Sequence, residues 1–344
     1  MKISIYFDES RETGAIAPQF LLVLLFVSAL SLGAGLFVSS ILNTERRALQ
    51  HDSQRKEMSR ILEAVLKDLR SDQTPETDGT DDPVWAWNKK SDNGYTVSIR
   101  SLSSSLNPNF IRKDLVERTA IKNLFKDGKT VADLQQYREE SGLSLSDTAY
   151  QNFFDTDNYT KYFSQYGWMN INLVDEFAAG SLITSITGVE STGNSFRGKI
   201  QLLLVFQTIV ERSGLKEILG PDYGELFPYI NAEPLMNVNF VDPFVLKEIL
   251  SYPENKLATP DAKADALLAL RATGGANTND IQNILGIDKA NRLFYYFGCV
   301  TWFWEIRIQG KGERCIAVVC RYPQEDLSVS KLPLFRTIEL RYEK

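Results

Sequence analysis

The pattern of apolar and polar positions changes sharply near the start of the chain. No charged side chain occurs between Thr13 and Thr44, and the densest apolar part runs from Phe20 to Leu30. A helix needs about 20 apolar residues to cross the hydrocarbon core, whereas the apolar part of a secretory signal peptide has about 7–15. The pattern therefore predicts a transmembrane helix over residues 15–44, with the remainder of the chain on one side of the membrane.

Beyond this stretch the apolar positions recur at steps of three and four. Between Glu45 and Arg70 they include Met58, Ile61 and Val65, with no Pro or Gly in the interval. This spacing is typical of an amphipathic helix. We therefore expect one helix from about residue 15 to residue 70, roughly 80 Å long at ~1.5 Å per residue.

Strand-like alternation appears in two widely separated places. Residues 94–102 alternate, and the chain alternates again in three segments after Cys299. Between them, from Phe110 to about Phe297, the periodicity is helical with frequent Gly and Pro breaks. A helical block between strands of one sheet predicts an α+β fold, in which a large all-α insertion interrupts a small antiparallel sheet.

An internal repeat lies in the helical block. We call Leu106–Phe110 motif 1, Met169–Asp175 motif 2 and Met236–Asp242 motif 3, since each contains an Asn-x-Asn sequence. Each motif precedes a predicted helix, over residues 111–125, 176–186 and 243–250. Because Asn is a favoured helix N-cap, the motifs are interpreted as caps. The asparagines are Asn107, Asn109, Asn170, Asn172, Asn237 and Asn239.

Composition excludes several classes of function. The net charge of −6 argues against a surface built to neutralise nucleic-acid phosphates. The single histidine, His51, excludes a His-based zinc site or catalytic triad, and no carboxylate pair lies in a catalytic motif. No enzymatic activity is therefore expected. Cys299 could pair with Cys315 or Cys320 across the predicted hairpin, and counting back from its turn at residues 309–312 places Cys320 nearly opposite Thr301. Buried thiols are the favoured interpretation of the three cysteines.

Metal binding has one weak candidate. The stretch around Asp155 and Asp157, with Asp175 nearby in sequence, offers carboxylates to calcium but lacks the Gly and distal Glu of a calcium loop. A solvated loop is the favoured interpretation there, and also for Asp78 and its acidic neighbours between residues 71 and 83. We expect no cofactor, with calcium as the alternative.

The element order and the three motifs resemble the minor pseudopilin of type II secretion systems called general secretion protein K. In that family a prepilin-type leader precedes a long helix, and a two-part SAM-like, helix-hairpin-helix-like domain interrupts a small pseudopilin sheet. The resemblance covers nearly the whole chain. It implies a leader over 1–14, a transmembrane helix over 15–44, a pseudopilin helix and first strand over 45–106, a helical insertion over 107–298 and C-terminal strands over 299–344.

The resemblance also assigns roles to residues near the start of the chain. Prepilin peptidase would cut between Gly14 and Ala15. Most pseudopilins carry a Glu at the fifth mature position, which here is Gln19. The K-type subunits lack that Glu, so Gln19 is implied to fit a subunit with no neighbour above it.

The implied function is structural. The resemblance implies a subunit at the tip of the periplasmic pseudopilus, partnered by the I-type and J-type minor pseudopilins, prepilin peptidase and the inner-membrane secretion platform. It implies a single-pass inner-membrane protein whose C-terminal domain is periplasmic and which binds no nucleic acid. By the positive-inside rule alone, the basic residues that follow the apolar span would place that domain in the cytoplasm.

Two alternatives remain at this stage. A membrane-anchored DNA-uptake protein also combines one anchor with helix-hairpin-helix modules, but the hairpins here carry Asp175, Glu176, Asp242 and Glu248 and lack basic flanks. A minor pilin of a related type IV pilus system would share the leader and differ in its partners.

Overall fold

The computed structural model describes residues 13–72, 74–141, 147–324 and 333–343, and only the backbone for most of residues 13–36. The chain falls into two units, residues 1–59 and 60–344. In the first unit the described residues form part of one helix, α1 (Thr13–Arg70), with an ion pair between Asp52 and Lys56 at 2.6 Å. The sheet and the helical block both belong to the second unit.

The helices and strands of the second unit are mostly short. The helices after α1 are α2 (Lys113–Glu117), α3 (Val131–Ser141), α4 (Asp147–Tyr150), α5 (Thr156–Tyr162), α6 (Glu176–Thr187), α7 (Glu190–Val205), α8 (Arg212–Leu219), α9 (Tyr223–Leu226), α10 (Pro243–Leu250), α11 (Pro260–Leu270) and α12 (Thr278–Leu285). The strands are β1 (Ser91–Asp92), β2 (Tyr95–Ser101), β3 (Met169–Asn170), β4 (Ile230–Asn231), β5 (Met236–Asn237), β6 (Phe297–Gly298), β7 (Phe303–Gly310), β8 (Glu313–Arg321) and β9 (Phe335–Glu343).

The largest sheet joins the two strand-forming regions of the sequence. Its order is β1-β2-β7-β8-β9, and every neighbouring pair is antiparallel. Strand β2 pairs with β7, with Ile99 opposite Ile306, although the whole helical block separates them in sequence. The predicted α+β class with an antiparallel sheet is confirmed. The domain boundaries inside the second unit stay predictions.

The apolar alternation of the strands explains which sheet positions are buried. On β2, Tyr95, Val97 and Ile99 are buried and the intervening residues are more exposed. On the opposite face of the sheet, Phe303 and Val318 belong to a buried cluster that also contains Trp168 and Ile171 of the helical block. This shared core attaches the block to the sheet. Its burial stabilises the fold by about 25 cal/mol for each Å² of apolar area removed from water.

A tight turn sets the register of the last strands. Lys311 and Gly312 both have positive φ, 53° and 81°, which is the conformation of a two-residue hairpin loop. This loop pairs Cys320 with Phe303. The expectation that Cys320 lies near Thr301 was therefore wrong, because it allowed for a longer turn. Strand β9 also departs from simple alternation: a register shift leaves Ile338 without a partner on β8.

One predicted helix is broken. Residues 111–125 were expected to form a single helix, but α2 ends at Glu117 and a 3-10 helix covers Ala120–Leu124. The break occurs at Thr119, whose backbone is extended and whose hydroxyl accepts a hydrogen bond from the N–H of Ile121. A hydroxyl that caps a new turn competes with continuation of the preceding helix. The other two helices predicted after the motifs are α6 and α10.

The three motifs start in the same way. Motif 2 supplies β3, which pairs in parallel with β4, and motif 3 supplies β5, which pairs in parallel with β6. In motif 1 a single parallel bridge joins Leu106 to Phe163. The helical block therefore contains three copies of one arrangement, in which the start of each motif pairs with a segment much later in the chain.

The N-terminal predictions fall mostly outside the described structure. The leader lies in residues that the structure does not describe, except for the first residues of α1. Gly14, Ala15 and Gln19 lie in the first turns of α1, where only the backbone is described.

Among the described residues, no helix has both the length and the apolar character required to cross a bilayer.

Candidate functional site

Motif 3 forms the most completely bonded of the three asparagine sites. The side-chain oxygen of Asn237 accepts from the N–H of Asn239 at 2.9 Å, an Asx-turn that reverses the chain. The side chain of Asn239 then pairs with Ala276, accepting from its N–H at 2.6 Å and donating to its C=O at 3.0 Å. Gly275 has φ +117°, and a Cβ there would lie 2.8 Å from Asn239 Cγ, so this approach requires glycine.

The side-chain nitrogens of both asparagines in motif 3 also donate hydrogen bonds to segments beside the sheet. Asn237 Nδ2 donates to Asp78 O at 3.0 Å and to Thr301 Oγ1 at 2.9 Å, and Asn239 Nδ2 donates to Asp78 O at 3.1 Å. All of these groups are buried. Motif 3 thus holds together three segments that are far apart in sequence: the loop after α1, the loop before α12 and the segment that precedes β7.

Motif 2 repeats this geometry with other partners. Asn170 Oδ1 accepts from the N–H of Asn172 at 2.8 Å, and Asn170 Nδ2 donates to Glu233 O at 2.6 Å. Asn172 pairs with Val210, accepting from its N–H at 2.8 Å and donating to its C=O at 2.9 Å. The second asparagine is again bonded through both its oxygen and its nitrogen, here to the loop that precedes α8.

Motif 1 has the same turn, but its second asparagine does not bond a backbone segment through both polar atoms. Asn107 Oδ1 accepts from the N–H of Asn109 at 2.9 Å, and its Nδ2 donates to Gln165 O at 3.2 Å. Asn109 accepts only from the hydroxyl of Tyr150, and its Nδ2, although fully buried, has no hydrogen-bond partner among the described residues. The second asparagine of motif 1 therefore does not hold a backbone segment by both atoms.

The interpretation of the six asparagines as helix caps was wrong. The N-cap of α6 is Asp175, which accepts from the N–H of Ala178 at 2.7 Å, and the N-cap of α10 is Asp242, which accepts from the N–H of Phe244 at 2.9 Å. For α2 the N-cap is Arg112. The aspartates cap because they directly precede their helices, whereas the asparagines lie inside the preceding turn and bond distant backbone.

A buried ion pair adjoins motif 3. Arg321 of β8 lies 3.3 Å from Asp78, and both side chains are about 95% buried, with exposed fractions of 6% and 5%. The N–H of Thr301 donates to the Asp78 carboxylate, while the N–H of Asp78 donates to Cys299 O at 2.7 Å. Asp72 lies farther from the guanidinium, at 3.9 Å. The expectation that Asp78 is solvated was wrong, because its loop folds over the end of the sheet.

Burial controls the protonation of these carboxyls. Desolvation raises the pKa of Asp78 from 3.8 to about 7, although the charge of Arg321 and the Thr301 hydrogen bond act in the opposite direction. Desolvation also raises the pKa of Asp82 to about 6, with the charge of Asp72 as the next cause. Two carboxyls of this loop therefore titrate between pH 5 and 8, much higher than ordinary aspartates do.

The calcium candidates do not come together as a site. Asp155 precedes α5, Asp157 lies in its first turn, and both side chains are exposed. Asp175 is bonded as the cap of α6. Within the described parts of the chain, no three His, Cys, Asp or Glu side chains are grouped so that they could hold a metal ion.

The cysteines are thiols, as favoured from the sequence. Cys299, Cys315 and Cys320 are all buried and free. Cys299 lies between two hydroxyl groups, with Thr278 Oγ1 at 3.2 Å and Thr77 Oγ1 at 3.8 Å. Burial raises the pKa of its thiol, so it is not an activated nucleophile.

A cleft lies beside motif 1. Its volume is about 650 Å³. It is bounded by the loop that Asn107 holds, by α6 and by the beginning of β9, and its wall includes Asn109, Trp168 and Tyr229. No pattern in the sequence signals this cleft, because its lining residues come from segments that are far apart in the chain.

Comparisons with known proteins gave a single kind of result. No protein-family model matches the chain, and no curated protein matches it. Among solved structures, a chain in the crystal structure of the GspK-GspI-GspJ complex from the enterotoxigenic Escherichia coli type 2 secretion system is similar, with a TM-score of 0.36 and 12% sequence identity. The alignment covers 87% of this chain and 99% of that chain.

Proposed function

We propose that this chain is a minor pseudopilin of the K type, a structural and non-catalytic subunit at the tip of a type II secretion pseudopilus. The observation that carries the proposal is the pairing of β2 with β7. It makes one small antiparallel sheet from strands on both sides of a helical block, which follows a helix of 58 residues. This is the element order on which the resemblance to general secretion protein K rests.

The bulk of the helical block supports a terminal position. It extends from the end of β2 at Ser101 to the start of β7 at Phe303, and it is anchored to the sheet by a shared core. A subunit that carries such a block would obstruct another subunit stacked above it. Gln19 fits the same position, because an uncharged side chain offers no carboxylate to the N-terminal amine of a following subunit.

The proposed partners are the I-type and J-type minor pseudopilins. The proposal places the chain in the inner membrane through its N-terminal helix, with the second unit in the periplasm, after cleavage by prepilin peptidase between Gly14 and Ala15. The DNA-uptake alternative has no specific observation in its favour, since Asp175 and Asp242 lie at the helix starts that would approach phosphate.

The test is a genetic complementation with biochemical readout. In the source cell, deletion of the gene should leave secreted enzymes in the periplasm, and the full chain should restore their export. Affinity purification of the full chain in detergent should recover the I-type and J-type subunits. Normal export in the deletion strain, together with recovery of neither subunit, would contradict the proposal.

A further inference from the structure

The cleft beside motif 1 has the dimensions of a small-molecule site. Its volume of about 650 Å³ lies within the ~300–1,000 Å³ typical of ligand pockets. One wall is the loop that carries Tyr166, the second is α6 with Ser185 and Ile186, and the third is the β9 segment 336–339. Binding in this cleft would not depend on a role in secretion.

The wall of the cleft contains a cation that has no acidic partner. Of the described residues that line it, Arg336 and Glu339 are the two with charged side chains. The charge of Glu339 is already balanced, because its carboxylate lies 2.9 Å from Arg341 and also accepts a hydrogen bond from the Tyr166 hydroxyl. Arg336 forms no ion pair with any residue that the structure describes. The unbalanced charge of the cleft is therefore positive and lies at Arg336.

The register of β9 directs the Arg336 side chain toward the helical block. Arg336 pairs with Cys320 of β8, which in turn pairs with Phe303 of β7. Directly opposed residues project from the same face of a sheet, and Cys320 and Phe303 both belong to the core shared with the block. Burial raises the pKa of Tyr322, whereas the charge of Arg336 acts to lower it, so the guanidinium lies close to the Tyr322 hydroxyl. Because Arg336 is also exposed, a ligand in the cleft can reach it from solvent.

Aromatic and aliphatic side chains that are open to solvent line much of the cleft. Tyr229 is 47% exposed and Ile338 is 39% exposed, and Phe110, Tyr166 and Ile186 are half-buried. Aromatic rings pack favourably against one another in offset or edge-to-face arrangements. The cleft therefore combines an aromatic lining with an unpaired guanidinium, which is complementary to a flat apolar molecule that carries one negative charge.

We propose that this cleft binds a small aromatic carboxylate. The carboxylate accepts hydrogen bonds from the Arg336 guanidinium, whose planar donors match the two oxygens of a carboxylate. The aromatic ring of the ligand packs against Tyr229 and Ile338. Removal of this apolar surface from water supplies most of the affinity, and the ion pair, which is accessible to solvent, selects for the negative charge.

Equilibrium dialysis of the full chain in phosphatidylcholine nanodiscs tests this proposal. The probes are 2-naphthoate and 2-naphthamide, which share one ring system and differ in charge at neutral pH, and nanodiscs without protein correct for partition into lipid. At low salt 2-naphthoate should bind about fivefold more tightly than 2-naphthamide, the upper end of what an accessible ion pair contributes. About 0.5 M NaCl should reduce this preference, because salt screens exposed charges. Octanoate, which carries the carboxylate on an aliphatic chain, should bind more weakly than 2-naphthoate.

Two arginine variants assign the preference for charge. Arg336→Gln should remove the fivefold preference for 2-naphthoate and leave the affinity for 2-naphthamide unchanged. Arg314→Gln is the matched control, at a position on β8 that is 42% exposed and does not line the cleft, and it should retain the preference. Thermal unfolding of both variants checks that they fold.

Two tryptophan variants, checked for folding in the same way, locate the binding. Ser185→Trp fills the cleft from an exposed position on α6 and should abolish binding of both probes, whereas Gln201→Trp, at an exposed position on α7 outside the cleft, should retain it. Any one of four results would overturn the proposal: no saturable binding of 2-naphthoate up to about 1 mM, an undiminished preference for it in Arg336→Gln, full binding in Ser185→Trp, or octanoate binding as tight as that of 2-naphthoate.

Discussion

Motif 3 and motif 1 have the same Asn-x-Asn turn in different surroundings. In motif 3 the second asparagine, Asn239, bonds the backbone of Ala276 through both its oxygen and its nitrogen. In motif 1 the corresponding Asn109 bonds one hydroxyl and leaves its nitrogen without a partner among the described residues. Motif 3 lies in the closed interior beside the Asp78–Arg321 pair, and motif 1 borders a cleft of about 650 Å³.

This difference lies in how much backbone each copy of the turn holds. A motif whose second asparagine is bonded to backbone through both polar atoms stabilises a distant loop. A motif whose second asparagine bonds one hydroxyl group contributes less to the stability of the fold. Two pairs of variants, in order of decreasing effect, and then the pH dependence of stability measure how large the difference is.

The largest effect is expected at the ion pair beside motif 3. Arg321→Met at pH 8 leaves the charge of Asp78 buried without its partner, so the free energy of unfolding should fall by about 3–5 kcal/mol. Arg341→Met on β9 is the matched control: the Arg341 side chain is 45% exposed, and the expected loss is about 0–1 kcal/mol. Denaturant titration of both variants measures the two values. Similar losses would show that the buried pair has no special role.

Replacing the second asparagine should destabilise the protein more in motif 3 than in motif 1. Asn239→Ala leaves the N–H and C=O of Ala276 buried without their bonds, at a cost of about 3 kcal/mol. Asn109→Ala removes one hydrogen bond from Tyr150, at a cost of about 1 kcal/mol. Denaturant midpoints with unchanged m-values give the comparison. Equal losses at the two positions would refute the division between a closed and an open motif.

The pH dependence of the free energy of unfolding should have a distinctive sign. The pKa of Asp78 in the folded protein, about 7, lies above its ordinary 3.8. Between these values the folded state holds a proton that the unfolded state releases, so this group stabilises the fold at low pH and the stability is lost as pH rises toward 7. Asp82 acts in the same direction. Denaturant titrations from pH 4 to pH 8 should show this loss, and Asp78→Asn should reduce it. An equal slope in both proteins would contradict the assignment to Asp78.

Local patterns in the sequence predicted local structure well. Alternation over residues 94–102 located β2, found at Tyr95–Ser101, and the helix predicted after motif 3 over residues 243–250 is α10. Two local predictions were wrong, the single helix over residues 111–125 and the position of Cys320 opposite Thr301, and both involve competing local signals. Thr119 starts a new turn inside a predicted helix, and a tight turn at Lys311 shifts the register of β8.

The sites depend on contacts between distant segments, so the sequence carried less information about them. The motifs were visible as a repeat, but their partners Val210 and Ala276 have no sequence feature that marks them. The ion pair did leave a trace, because Arg321 stands in the otherwise apolar run of β8 and an arginine there needs a buried anion. Nothing in the sequence identified Asp78 as that anion or brought β9 next to motif 1.

The mature N-terminal residue of the chain, purified from native membranes, tests the functional account most directly. Mass spectrometry of the N-terminal peptide should find a start at Ala15, and Gly14→Ala should leave the longer uncut chain. A mature chain that retains Met1, or one cut normally in the Gly14→Ala variant, would contradict the assignment to the prepilin pathway and with it the proposed place in a pseudopilus.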